Sequence, residues 1–324
     1  MVAILVPSGA LCVAVVAHAD PMAVPAVSDL GDPYDVPPLA PRTPTLPELT
    51  HRDDEISGET TMGVLSPNPQ KGLAYSPNAT FAVVQRLSAE LPIDRRRRWF
   101  IGGSYEVAAG NPPGGGVFRL VPSNLDLYAR TVWATRTGLT FGGGVGVLLP
   151  TAQFGRNDDA ARVAAAAQAL RPWDDAFFLP DELTLRAFVD VRDVDGPFVI
   201  QFREGLEYSA DLEGHGDQIA AIAQAYIGYR VVPLLGVGLE GFETYVIESP
   251  LLDTAAGDGK RATFTLSPSV RLMTPYVQPA LGFVTGIGTP LFGSVDSFWA
   301  FRFGASIVWD PVKKAVKKDT APAG

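Results

Sequence analysis

Long segments in which apolar and polar residues alternate are the feature that most constrains the fold of this chain. Within residues 261–273, for example, Phe264 and Leu266 alternate with Thr263 and Thr265. Because successive side chains of a strand point to opposite faces, each such segment has one apolar and one polar face. Strands of soluble proteins mostly have about five or six residues, whereas a tilted strand needs about nine to eleven to cross a bilayer. The segment length therefore favours membrane-crossing strands.

Twelve segments of this kind can be delimited, and their number and spacing predict the topology. They comprise residues 60–66, 78–91, 98–109, 118–134, 139–150, 183–192, 198–210, 218–231, 235–248, 261–273, 276–289 and 297–309. Single-chain bacterial barrels have an even number of strands, with long loops outside and short turns inside. The connections alternate in this way if the N-terminus is periplasmic. We therefore predict an all-β fold, a transmembrane antiparallel up-and-down β-barrel of about twelve strands.

Three prolines fall inside predicted strands, at Pro122, Pro268 and Pro279. Proline has no backbone N–H and removes one hydrogen bond from the ladder between two strands. These positions therefore predict either bulges or local shifts of register.

The regions that flank the barrel differ from it in composition. Residues 1–19 contain an apolar run that ends in small residues, which is typical of a signal peptide. Residues 20–58 are rich in proline and aspartate. This composition predicts a periplasmic linker, with a plug or a partner-binding peptide as the alternative. We expect the barrel over residues 59–310 and a basic periplasmic tail over residues 311–324.

Charged residues recur on the polar face of the predicted strands. Those expected to line the lumen are Arg86, Glu90, Glu106, Asp126, Arg130, Arg186, Asp190, Arg203, Glu207, Arg230, Arg271 and Arg302. Charges on such a wall are tolerated when water or a partner is present and are costly otherwise. The set fits a conduit whose arginines attract or orient anionic or polar solutes. It also fits a sealed barrel in which arginine–carboxylate pairs fill the centre.

The longest connection, residues 151–182, is predicted to carry one short helix in an extracellular loop. Its segment Ala160–Leu170 has high helix propensity. Trp173, Phe177 and Phe178 follow as an apolar cluster in a loop that should face water. The cluster predicts a lid or an inward-folded constriction, and packing of the helix on the barrel rim is the alternative.

Residue usage disfavours several classes of function. The three histidines, His18, His51 and His215, all lie outside the predicted strands, so no histidine base can act beside a strand serine. Histidine-based metal sites are disfavoured on the same ground, and the single cysteine falls in the signal peptide. The net charge of −9 argues against a nucleic-acid partner. We therefore expect no enzyme activity, no metal and no cofactor.

One strand suggests a relationship to known barrels. Gly142-Gly143-Gly144 leads into Leu149-Pro150-Thr151, and this segment resembles the glycine-rich strand closing in Leu-Pro-Thr of outer-membrane barrels of the phenol meta-pathway transporter type. The glycine that usually follows the threonine is replaced by Ala152. The resemblance covers one strand and the general layout of the chain. It implies a transport-like role for small, often apolar, molecules.

These features together predict a monomeric outer-membrane channel or transporter-like barrel for the passive passage of small solutes. The alternative is a sealed structural or interaction barrel of the cell envelope without transport, and a soluble periplasmic β-sandwich is the third interpretation. The expected partners are outer-membrane lipid, lipopolysaccharide and a small-molecule solute. Carboxylates of the outer loops, among them Asp174 and Asp175, are expected to face water or divalent cations.

Overall fold

The computed structural model describes the chain in ten stretches. These are residues 54–67, 81–94, 98–110, 118–135, 139–155, 159–214, 216–249, 261–274, 277–287 and 295–309. The predicted signal peptide, most of the predicted linker, the predicted basic tail and all three histidines lie outside the described residues.

The described residues form strands and two short helices. In chain order the elements are β1 (Asp54–Pro67), β2 (Phe81–Pro92), β3 (Trp99–Gly110), β4 (Arg119–Pro122), β5 (Leu125–Ala134), β6 (Thr140–Leu149), α1 (Asp159–Leu170), a 3₁₀ helix (Pro172–Phe178), β7 (Glu182–Asp195), β8 (Phe198–Asp211), β9 (Gln218–Val232), β10 (Leu235–Glu248), β11 (Ala262–Leu272), β12 (Val277–Ile287) and β13 (Val295–Trp309). Neither helix is long and apolar enough to cross a membrane, as far as the described residues go.

The strands close into one antiparallel barrel. Each strand pairs with its neighbours in sequence, and β1 pairs with β13 to close the sheet. Segments β4 and β5 both pair with β3, so they are two parts of one strand that is interrupted at Ser123–Asn124. The barrel therefore has twelve strands. The predicted all-β, up-and-down barrel with one short loop helix is confirmed.

The first strand is longer than the alternation predicts. It begins at Asp54 instead of residue 60, so the last residues of the predicted linker belong to the wall. Ser57 bonds to Ser88 of β2 across 2.6 Å, and Ile56 is exposed on the outer face. Gly58 and Thr60 hid this alternation in the sequence, because they lie on the outer face and neither is apolar.

The two faces of the barrel wall differ in polarity, as the alternation predicts. The outer face carries exposed apolar side chains such as Leu87, Val145 and Val189, each about three-fifths exposed. The inner face carries buried charged and polar side chains, for example Arg130 at 1% exposure. This is the reverse of a soluble sandwich, whose apolar face would be buried.

The three strand prolines have different consequences. Pro122 ends β4 at the interruption of the wall. At Pro268 the pairing of β11 with β12 stops after Leu266 and resumes at Ser269. Pro279 stays in register with its β13 neighbour and its side chain is exposed. Two of the three predicted disturbances are therefore present.

Candidate functional site

The predicted loop helix lies inside the barrel. We call residues 159–179 the inner segment; it comprises α1, the 3₁₀ helix and Leu179. Helix α1 contacts β1, β2, β3, β4 and β13, and the 3₁₀ helix contacts β10. Because these strands lie on different sides of the barrel, the inner segment crosses the lumen.

Apolar packing holds α1 against one side of the wall. The helix is rich in alanine, and most of its side chains are fully buried. Leu170 packs with Leu65 of β1 and Ala82 of β2. Gly63 permits this approach, because an added Cβ there would lie 2.7 Å from Leu170 Cδ2. The small side chains of α1 thus let it lie close to the strands.

The 3₁₀ helix makes the contacts on the opposite side. The rings of Trp173 and Phe242 of β10 stack at a centroid distance of 4.0 Å and an interplanar angle of 16°. Thr244 of β10 donates a hydrogen bond to the carbonyl of Pro172 at 2.6 Å. Phe177 and Phe178 are also buried, within the apolar cluster around α1. The predicted aromatic cluster therefore lies within the lumen and not on the rim.

Arg171, between the two helices, is the centre of a buried ionic network. Its Nη1 donates to Glu59 of β1. Its Nε lies 3.1 Å from Asp174 Oδ2 and 3.4 Å from Glu106 Oε1 of β3. Arg86 of β2 donates to Asp174 Oδ2 at 3.1 Å. One arginine of the inner segment is thus tied to carboxylates on two strands.

The network continues across the lumen through Arg302 of β13. Its two terminal nitrogens donate to Glu59 at 2.7 Å and to Glu240 of β10 at 2.5 Å. Glu59 therefore lies between Arg171 and Arg302 and links the inner segment to the far wall.

The electrostatics of the inner segment follow from these contacts. Burial alone would lower the pKa of Arg171, but the surrounding carboxylates raise it well above its usual range. Burial alone would raise the pKa of Asp174, and the guanidinium groups of Arg86 and Arg171 outweigh this, so the pKa is lowered. Asp175 has no such cation beside it, and burial raises its pKa to about 6. Asp174 therefore carries a charge, whereas Asp175 titrates close to neutral pH.

The interruption of the wall at Ser123–Asn124 is a second attachment point. The side-chain amide of Asn124 donates to the carbonyls of Ala176 and Leu179 at 3.1 and 2.8 Å. Its backbone N–H donates to the carbonyl of Phe177 at 2.7 Å, and its Oδ1 accepts from the backbone N–H of Ala152 at 3.0 Å. Asn124 is completely buried. One asparagine thus binds both ends of the connection to the wall.

The glycine-rich strand β6 leads directly into this arrangement. An added Cβ at Gly144 would lie 2.6 Å from Phe188 Cζ, and one at Gly146 would lie 2.9 Å from Arg186 Nε. The glycines therefore make room for large inward side chains of β7. Thr151, just after β6, donates to the carbonyl of Ser123 at 2.9 Å. The Leu-Pro-Thr sequence thus lies where the chain leaves the wall and enters the lumen.

The structure brings most of the charged residues singled out by the sequence into pairs. The pairs are Glu90 with Arg130, Asp126 with Arg186, Asp190 with Arg203, Arg86 with Glu106 and Asp174, and Arg302 with Glu59 and Glu240. The side chains of Glu207, Arg230 and Arg271 make no hydrogen bond or ion pair with any other described residue, and Glu207 and Arg271 are buried.

Sequence reasoning missed Glu59, Asn124 and Arg171, and it misplaced Asp174 and Asp175. The expectation that these two aspartates face water was wrong, because both are more than nine-tenths buried in the lumen. Glu59 precedes the predicted first strand, and Arg171 and the aspartates follow the predicted helix. The apolar aromatic cluster was the one sequence signal that this loop does not lie in water.

A chamber lies between the inner segment and the short-turn end of the barrel. The space inside it that water-sized molecules can occupy is about 60 Å³. Trp173 and Phe242 form part of its lining, as do Arg271 near the end of β11 and Gln278 near the start of β12. The inner segment therefore separates this chamber from the long-loop end.

Comparisons with known proteins identify the fold. No protein-family model matches the sequence, and no curated protein matches it either. An outer membrane channel from Pseudomonas putida F1 has a TM-score of 0.56 and 11% identity, over 79% of this chain and 96% of that chain. The NanC porin has a TM-score of 0.48 and 13% identity, over 77% of this chain and 98% of that chain. The KdgM porin in complex with disordered oligogalacturonate has a TM-score of 0.45 and 9% identity, over 79% of this chain and 99% of that chain. The first of these likenesses shows that this chain and that channel share the fold of a closed antiparallel β-barrel.

Proposed function

We propose that this chain is an outer-membrane channel for small solutes, and that the inner segment closes its lumen in this structure. The observation that carries the proposal is the path of residues 159–179 from one side of the barrel to the other. A helix that only covered the rim would leave the lumen open. A segment that crosses it can act as a constriction or a gate.

The inner segment is bound to the wall by polar contacts, and this supports a closure of the lumen that can be removed. Arg171 and Asp174 are bound to the wall by charged groups, and Asn124 binds it by hydrogen bonds. Water can replace such polar partners when the segment leaves, since a solvated ion loses little free energy relative to a buried pair. The two ends of the connection are also close, because Leu148 of β6 pairs with Thr184 of β7. The segment can therefore move out without opening the wall.

The outer face of the barrel supports placement in a lipid bilayer. Side chains such as Leu127, Ile200 and Ile227 are exposed around the wall, which a protein in water would rarely tolerate as a continuous band. We infer a monomer in the outer membrane in contact with lipid and lipopolysaccharide. The barrel is closed on itself and needs no second chain to satisfy its strand edges.

The solute class follows from the resemblance of β6 to barrels of the phenol meta-pathway transporter type. That resemblance implies small, often apolar, molecules. The aromatic side chains of Trp173 and Phe242 contribute to the lining of the chamber, which supports this solute class.

A sealed barrel is the second candidate function. The close packing of the alanine-rich helix α1 against β1 and β2 favours it, because this contact excludes water. In that case the inner segment would be a permanent plug. The loops would then be the part that contacts other envelope components.

Conductance of the refolded protein in a planar bilayer tests the proposal. The informative variant joins β6 to β7 by replacing residues 151–181 with a Gly-Ser linker of about four residues, a length that suits a hairpin. We expect low or intermittent conductance from the full chain and steady, larger conductance from the variant. Heat-modifiable migration on a gel is the control that both proteins form a barrel. Silence of both folded proteins would contradict the channel and support the sealed barrel.

A further inference from the structure

The chamber on the short-turn side of the inner segment has an unbalanced set of charges. Its lining includes four arginines and two glutamates. Arg86, Arg171 and Arg302 are bound to carboxylates, as described above. Arg271 of β11 is different: it lines the chamber, is 9% exposed, and makes no hydrogen bond or ion pair with the other described residues.

A second polar group in the chamber also lacks a partner. Tyr226 of β9 is 1% exposed, and its hydroxyl is buried without a hydrogen-bond partner among the described residues. Its ring occupies the space that side chains at Gly228 and Gly238 would fill, since an added Cβ at Gly228 would lie 2.6 Å from Tyr226 Cε1. The ring is therefore fixed against the wall. Ser269 and Ser306 add further hydroxyl groups to the same lining.

Burial of a guanidinium group without a counter-ion costs free energy. The planar N–H donors of an arginine such as Arg271 match the geometry of a carboxylate, which can accept two parallel hydrogen bonds from them. We infer that Arg271 and Tyr226 form a binding site for the carboxylate of a small organic acid, whose apolar body lies toward Trp173 and Phe242. The carboxylate would accept hydrogen bonds from the guanidinium of Arg271 and the hydroxyl of Tyr226. This inference deepens the proposed function by assigning a solute class to the chamber.

The aromatic residues in the chamber lining indicate what the apolar part of the ligand would contact. Trp173 and Phe242 stack on each other and both line the chamber. A planar apolar body gains dispersion and hydrophobic contact there, which a bare inorganic anion does not. The site should therefore distinguish an aromatic carboxylate from both its uncharged analogue and a small carboxylate without a ring.

Calorimetric titration of the full refolded chain in detergent tests this inference, with benzoate, benzamide and acetate as probes. We expect benzoate to bind at least about tenfold more tightly than benzamide, because a hydrogen bond to a charged group contributes about 1.5–3 kcal/mol. Acetate should bind more weakly than benzoate. Arg271→Gln should remove the preference for benzoate over benzamide, and Arg119→Gln, an exposed arginine outside the chamber, should leave it unchanged.

Equal affinity of benzoate and benzamide for the wild-type chain, or equal benzoate affinity of the wild type and Arg271→Gln, overturns the inference. If Arg271→Gln forms no barrel, the inference is tested instead by the benzoate affinity of Tyr226→Phe and by the affinities of the wild-type chain for the three probes. Binding in detergent is independent of conductance. A chain that binds benzoate but never conducts would contradict the channel alone, and a chain that conducts without this preference would contradict the carboxylate site alone.

Discussion

Replacement of Arg171 by methionine is the sharpest single test of how the inner segment is held. The methionine keeps an unbranched apolar stem and removes the guanidinium. Glu59, Glu106 and Asp174 then lose a cation that lies within ion-pair distance of all three. Removing one partner of a buried ion pair costs about 3–5 kcal/mol when the remaining charge is left unpaired. Here Arg302 still pairs with Glu59, and Arg86 still pairs with Asp174 and Glu106, so we expect a cost of at most about 3 kcal/mol.

This cost falls on the docked state of the inner segment and not on the barrel. Once the segment leaves, the strand carboxylates are exposed to water in the lumen, and the wall keeps its hydrogen bonds. At 1.4 kcal/mol per factor of ten, the ratio of docked to undocked molecules should fall by up to about two orders of magnitude. Arg171→Met should therefore conduct for a much larger fraction of time than the wild type in a planar bilayer.

Arg162→Met is the matched control, because Arg162 lies on α1 in the same segment but is substantially exposed and, among the residues that the structure describes, pairs only with Asp159. We expect its conductance to equal that of the wild type. If Arg171→Met stays as silent as the wild type while the chain lacking residues 151–181 conducts, the ionic network does not hold the segment. The apolar packing of α1 would then be the main attachment.

Three further predictions follow from the same contacts. Asn124→Ala removes three hydrogen bonds to the connection, at about 1 kcal/mol or more each, so the fraction of time spent conducting should rise while heat-modifiable migration is kept. Leu266→Arg places a charge at mid-strand on the outer face and should cost about 2–4 kcal/mol of folding free energy in denaturant titrations in lipid. Ser269→Arg, on the inner face of the same strand beside the chamber, should cost far less, and equal costs would mean that the faces are assigned wrongly. Burial raises the pKa of Asp175 to about 6 in the docked segment, so docking favours the protonated carboxyl group. The free energy that this group contributes to docking is therefore fully present below its ordinary pKa near 4 and is lost as the pH rises through 6. Asp175→Asn should therefore be closed more often than the wild type at pH 8 and equally closed at pH 4, and the same difference at both pH values would refute this reasoning.

The strand framework was largely predictable because a closed barrel repeats one simple rule. Every strand separates lipid from the lumen, so period-two alternation runs through the wall with few exceptions. The exceptions are informative. Gly58 and Thr60 break the pattern at the start of β1, because they lie on the outer face and are not apolar, whereas Glu59 faces the lumen and is paired there with Arg171 and Arg302.

The candidate site was only partly predictable, because it depends on where a loop goes. Alternation says which residues face the lumen, and the inward direction of Arg130 and Asp190 follows from it. It says nothing about whether a loop enters the lumen. The carboxylates of Asp174 and Asp175 suggested a water-facing surface, and only the nearby Phe177 and Phe178 opposed that interpretation. The structure resolves the conflict by burying both kinds of side chain together.

The interruption of the wall at Ser123–Asn124 and the inward path of the inner segment depend on each other. In a regular strand each backbone N–H and C=O is used by a neighbouring strand, and none is left for a loop. Pro122 ends the regular pairing, and the next two residues turn their polar groups to other partners: Ser123 to Glu106 and Thr151, and Asn124 to the inner segment. A barrel with an unbroken strand here would have no backbone donor to offer Phe177. The irregular point of the wall is therefore the place where the inner segment can be held at the level of the main chain.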